Sequence, residues 1–182
     1  MIVVGIVGPG SMVERGGAGG VVEIARRLAA SGVRSQVVGV VAAGAVGDRQ
    51  LLSLAAAGVG HATVIRSAAP TIEAADLDLA LRYLPDVRAI VLVAPDASLL
   101  VVAVAAAGWS GGALVVVGPI DAGATAVIEA AGTRPIVLEP PARDPDGAFA
   151  GLVAALAVRL DAGEDPGAAW RSTVAALAID RA

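Results

Sequence analysis

The sequence predicts an α/β protein, a three-layer α/β/α sandwich around a mainly parallel sheet, and three observations carry that prediction. Short runs of β-branched residues alternate with longer Ala/Leu-rich segments. The runs show little polar alternation, as expected of strands covered on both faces by helices. Glycines stand just past several of the Ala-rich segments, where helices need a left-handed residue to end. The 182 residues suffice for one substantial core and are too few for two ordinary domains, so residues 1–182 are read as a single domain.

Taken in order, the strands are expected at Ile2–Val7, Gln36–Val41, Ala62–Arg66, Ala89–Val93, Ala113–Val117 and Pro135–Leu138. The helices between them are expected at Val21–Ser31, Arg49–Ala57, Glu73–Leu84, Ala97–Ala107, Gly123–Ala131 and Gly147–Ala162, and a last helix runs from Pro166 to Ile179. Gly32, Gly58, Gly108 and Gly132 are placed to close helices, Asp96 and Ser98 to open the fourth, and Asp165-Pro166 to open the last as N-cap and N1 proline. The repeated β-α order implies right-handed crossovers but leaves the strand order open.

Composition narrows the function classes. Apolar residues are 57% of the chain and aromatics only 2%, so the core is built from Val, Leu, Ile and Ala. There is no lysine; all thirteen basic residues are Arg, a bias that GC-rich codon usage explains and from which no partner is read. Net charge is −4 and no basic cluster exceeds Arg26-Arg27, which argues against nucleic acid as a partner. Without cysteine there is neither a disulfide framework nor a thiolate metal site, in keeping with a reducing cytoplasm. MIVVGIVGPG lacks the basic segment of a signal peptide, and the apolar run Leu99–Ala107 is too short to span a bilayer, so a cytoplasmic protein without a membrane partner is expected.

The stretch RGGAGGVVEIARRL at Arg15–Leu28 runs glycines into a helix. With Gly8-Pro9-Gly10 after the first strand it invites a dinucleotide-binding, Rossmann-like reading. Val13 replaces the third glycine of that fingerprint, and no acid follows the second strand at Val40-Val41-Ala42-Ala43. Its helix would also contain Gly16, Gly17, Gly19 and Gly20, each costing about 1 kcal/mol against alanine.

From Gly19 a longer pattern appears: a glycine pair, a helix closed at Gly32, a strand closed by Gly39, a loop with Gly47, a helix, and Gly58-Val59 before another strand. This spacing resembles the N-terminal signature of the ribokinase-like carbohydrate kinases, the PfkB family. Ala69–Leu77 resembles the family segment leading to the central strand, Asp86–Val93 looks like that strand, and Asp144–Leu156 is similar to the second signature, in which a catalytic Asp precedes Ala-Phe and a long helix. The resemblance touches most of the chain and implies large deletions, including the lid strands over the sugar, for which Arg66–Pro70 leaves no room.

What the resemblance implies is transfer of the ATP γ-phosphoryl group to a sugar or nucleoside hydroxyl, with ATP and Mg²⁺ as cofactors. That chemistry needs a base, donors for developing charge, and phosphate-positioning groups. Asp146 is the candidate base, but aligning on Ala148-Phe149 puts Gly147 at the base position, so Asp146 also reads as the N-cap of the helix. Gly147 and Ala148 are the candidate anion-binding residues at that helix N-terminus. Gly19, Gly20 and Glu23 are the candidate substrate-binding residues; Glu23, at the family's Asn position, reads equally as a first-turn acid favoured by the helix dipole.

No metal site is expected: Asp76 and Asp78 point apart at i, i+2, and His61 is alone and reads as a loop or capping residue. Ser110 lacks a partner for nucleophilic work, and Trp109 and Trp170 read as packing anchors unless they prove exposed, which would mark an interface. The leading expectation is a ribokinase-like scaffold that has lost kinase activity, with no assured cofactor, and binds a small sugar-like ligand or acts as an assembly or regulatory domain. Loss of covering segments predicts homo-oligomerisation or a protein partner through exposed apolar surface. The alternatives are a minimal kinase using Asp146, with ATP and Mg²⁺, and a dinucleotide-binding domain on Gly8 and Gly10.

Overall fold

A computed structural model describes residues 2–5, 20–68, 72–84, 86–132, 134–142, 144 and 146–179, of which 2–5, 178 and 179 are described through their backbone. The strands are β1 Ile2–Gly5, β2 Gln36–Ala42, β3 Gly60–Ser67, β4 Ala89–Val93, β5 Ala113–Val117 and β6 Ile136–Leu138. The helices are α1 Val21–Ala30, α2 Ala45–Ala56, α3 Ala74–Tyr83, α4 Ala97–Ser110, α5 Ala122–Ala131, α6 Ala148–Asp161 and α7 Pro166–Ile179. The six strands among the described residues join one sheet in the order β3-β2-β1-β4-β5-β6, and every described pairing is parallel.

Alternation along the strands divides the core in two. Ala89, Val91 and Val93 of β4 face the cluster shared with α1 and α6, while Ile90 and Leu92 face the cluster shared with α3 and α4. Because β4 is covered on both faces, all five of its residues are buried, and the strand reads as an unbroken apolar run. In α1, Val21, Ile24, Ala25 and Leu28 recur on one face and are buried against the sheet, so hydrophobic spacing alone selects its orientation.

The chain turns from leftward to rightward winding between β1 and β4. In open parallel sheets the crevice beyond the strand carboxyl ends at such a switch is where ligands bind. Ala94, immediately after β4, sits at φ 48° there, a left-handed conformation that costs a non-glycine residue about 1–2 kcal/mol. Its N–H donates to the Val117 carbonyl at 2.7 Å, tying the β4 and β5 ends together.

Several boundaries differ from the sequence reading for identifiable reasons. Helix α2 begins at Ala45, four residues before Arg49, with Gly44 as its N-cap. Helix α4 does not end before Gly108: it runs to Ser110, and Gly111, at φ 66°, is the left-handed cap. Gly32, Gly58 and Gly132 do take positive φ after their helices. Strand β3 extends to eight residues at the sheet edge, with an irregular register against β2 between Gln36 and Val38. Among the described residues no strand lies between β3 and α3, as the short connection predicts. No described helix is long and apolar enough to cross a membrane.

Candidate functional site at the carboxyl edge of the sheet

Helices that follow parallel strands point their N-termini at the sheet's carboxyl edge, presenting unpaired N–H groups and a partial positive charge. Among the described residues an Asp side chain sits on three of those ends. Asp96 accepts from the Leu99 N–H at 2.9 Å and opens α4, and Asp121 accepts from the Ala124 N–H at 2.7 Å and opens α5. At α6 the Asp144 carboxylate accepts from the Phe149 N–H at 3.1 Å and from the Ala150 N–H at 3.2 Å. By contrast α1 and α2 start at Gly20 and Gly44 without a side-chain cap.

Expectation and structure part company at Asp146. The N-cap of α6 is Gly147, at φ 66°, and the carboxylate on the helix end belongs to Asp144, not Asp146. The physical reason is the tight turn: the Gly147 N–H donates to the Asp144 carbonyl at 3.1 Å, which folds the Asp144 side chain back over the first helical turn. Asp146 is exposed, and its carbonyl accepts from Arg27 Nη2 at 3.2 Å. Gly147, a predicted anion-binding residue, is the N-cap of α6 with its N–H already engaged; Ala148 opens α6 and is exposed.

Arg27 unites the two halves of the predicted site. From α1 its Nε donates to Glu23 Oε1 at 2.8 Å while its Nη2 reaches Asp146 across 119 residues of sequence. Glu23 also stands 3.6 Å from Arg26. Glu23, predicted to bind substrate, and the turn at Asp146-Gly147 thus meet through one guanidinium. The Glu23–Arg27 spacing is the favourable i, i+4 order and was legible in sequence, whereas the reach to Asp146 was not. Such half-exposed ion pairs contribute about 0–1 kcal/mol each, so the cluster orients more than it stabilises. Gly20 precedes α1; Gly19, Gly8 and Gly10 lie outside the described residues.

The other candidates disperse. His61 Nδ1 donates to the Val59 carbonyl at 2.9 Å, a local turn contact. It borders an open groove of about 550 Å³ between α2 and β3, with Leu51, Val64 and the Arg66–Asp48 pair. Asp78 pairs with Arg82 at 2.9 Å, and Ser110 Oγ accepts from the Gly112 N–H at the end of α4. Among the described residues no group of three His, Asp or Glu side chains is placed to hold a metal ion. Trp109 is 63% exposed, not a packing anchor.

Asp96 also gives the edge a measurable pH response. Its pKa is lowered by the Ser98 hydroxyl, with a further contribution from the Leu99 N–H. A carboxyl whose pKa is lowered on folding contributes stability above its unfolded pKa, near 4, and loses it as pH falls through the lower folded value. Asp96→Asn should flatten the decline of the urea midpoint below about pH 4 relative to wild type. An unchanged acid limb would show that the cap does not titrate with folding.

Among solved structures, the chain is similar to a PfkB protein from Polaromonas sp. JS666, with 11% identity and a TM-score of 0.58 over 84% of this chain and 81% of that one. A protein named Sa239 is similar at 11% identity and a TM-score of 0.60, over 82% of this chain and 77% of that one. A fructokinase from Xylella fastidiosa crystallised with ATP is more distant, at 15% identity and a TM-score of 0.46; the match spans 57% of its length. No protein-family model and no curated protein matches the chain. The fold is therefore the ribokinase-like fold of PfkB proteins, in a chain of length comparable to the Polaromonas protein.

Proposed function

We propose that this protein keeps the PfkB fold without phosphotransferase chemistry and works as an assembly or small-ligand-binding domain. The observation that supports this reading is the Asp144 carboxylate on the Phe149 and Ala150 N–H groups. A phosphoryl-transfer site needs helix N-terminal donors free to meet developing negative charge. At α6 a fixed carboxylate uses two of them, and a second negative charge brought to about 4 Å would be opposed by about 4 kcal/mol per unit charge at an effective dielectric of 20. The residues at α6 therefore do not fit a phosphate with Asp144 in place, and no catalytic step is derived through ATP or Mg²⁺.

With ATP, Mg²⁺ and a panel of sugars and nucleosides, the purified protein should form no ADP above background. Asp144→Ala should lower stability by about 1 kcal/mol, the usual cost of losing a side chain that accepts from first-turn N–H groups, and should not create turnover. Acceptor-dependent ADP formation that disappears in Asp146→Asn would overturn the reading in favour of a minimal kinase. The link from Glu23 through Arg27 to the Asp146 carbonyl is the observation that favours that second reading, in which Asp146 would act as base and Gly19, Gly20 and Glu23 would bind the acceptor. The doubly wound strand order is also that of dinucleotide-binding folds, so NAD(P) belongs in the same panel, read by thermal shift.

A further inference from the structure

We propose that the outer face of α4 is the seat of a two-fold homodimer, in which α4 packs antiparallel against α4 of a second copy. This deepens the assembly reading and rests on it. Helix α4, ASLLVVAVAAAGWS, carries no charged residue in fourteen positions, a composition that belongs to a helix buried on all sides. Yet α4 lies in the outer layer between α3 and α5, and its outward positions are uncovered: Val101 is 50% exposed, Trp109 63%, and Ala105 between them is exposed too. A charge-free helix that leaves Val101, Ala105 and a tryptophan uncovered along one stripe marks a contact site and not ordinary surface.

Charge and shape select a second copy as the occupant. A groove of about 460 Å³ between α3 and α4 is lined by Val102, Ala105, Ala106 and Trp109 and rimmed by Asp78 and Arg82. The rim thus holds one acid and one base, one helical turn apart and 2.9 Å from each other. A two-fold axis across the helices at Ala105 reverses their direction. Where that axis is level with the middle of the Asp78–Arg82 pair, which lines the same groove as Ala105, Asp78 stands opposite Arg82 of the second copy and Arg82 opposite its Asp78, so four charges alternate in sign. The same axis carries Trp109 to the level of Val101 of the second copy, because each lies four residues, about 6 Å, from Ala105. The Ala105 methyl at the centre lets the two helices approach closely. An isologous contact needs this self-complementarity, and a single-sign rim would forbid it.

Size-exclusion chromatography with light scattering over a wide concentration range tests the proposal on the full chain. Wild type should elute at twice the chain mass, and Ala105→Glu, which places two like charges on the axis, should elute at the chain mass. Arg82→Asp lies at the solvent-exposed rim and guards against a folding failure at Ala105. It should weaken the dimer about tenfold or more by setting acid against acid. The exchange Asp78→Arg with Arg82→Asp should restore it. A wild-type dimer indifferent to all of these changes, in variants with native circular dichroism, overturns the α4 face and leaves assembly through another surface. A wild-type monomer at every concentration overturns the dimer itself, and the ADP assay then judges the loss of phosphotransfer separately.

Discussion

Gly47→Ala is expected to lower stability by about 3 kcal/mol or more, read as a fall in melting temperature of roughly 6 to 12 °C for a chain of this size. A methyl at Gly47 would collide with the Ala42 carbonyl oxygen and lie 3.3 Å from the Val41 Cβ. Both obstacles belong to the end of β2, and the carbonyl is backbone, so neither can swing aside. Relief requires α2 to lift from the sheet, which opens contacts around Leu54, a fully buried side chain of that helix. The ordinary gain from replacing a helical glycine by alanine, about 1 kcal/mol, is outweighed. A melting temperature equal to or above that of wild type would mean that α2 does not approach β2 this closely.

Gly147→Ala should cost about 1–2 kcal/mol, the penalty of holding a side chain at left-handed φ, and should also displace Arg27. Here the collision is with Arg27 Nη2, the far end of a flexible side chain, so steric cost is small and backbone strain dominates. Gly147→Asn separates the two effects. Asparagine tolerates the left-handed region better, so it should cost less than alanine while still pushing Arg27 away. Equal losses in both variants would place the cost in the Arg27 contact. A double-mutant cycle with Arg27→Ala then measures that contact, because neighbouring residues show their coupling as non-additivity.

The contrast between these glycines shows what a one-dimensional pattern conveys. Gly32, Gly47 and Gly58 share the regular spacing by which the sequence resembles the PfkB signature, but for different reasons. Gly32 and Gly58 supply positive φ after helices, and Gly47 lets a helix touch a strand. Central strands were legible because burial on both faces leaves no polar interruption: β4 and β5 begin and end where their apolar runs do. The start of α2 was not, since Gly44 and Gly47 depress local helix propensity and only packing against β2 restores the helix. Helix α4 was cut short at Gly108 because a glycine after an Ala-rich run reads as a stop, whereas Gly111 is the one that turns left-handed.

At the candidate site the division is sharper. The sequence by itself determined a layered, lysine-free, acidic α/β domain, the helix expected at Gly147–Ala162 to within a residue at each end, and the capping roles of Asp96 and Asp165, because each follows from local periodicity or a contact within a few residues. Only the tertiary structure decided the strand order, the exchange of Asp144 for Asp146 on the α6 N–H groups, and the bridge from Glu23 through Arg27 to Asp146. It alone showed that α4, coded as a wholly apolar helix, leaves Trp109 and Val101 uncovered. Those outcomes depend on which elements lie side by side. Adjacency is set by packing the whole sheet and its helices at once, a balance of distant contacts that no local run of residues contains.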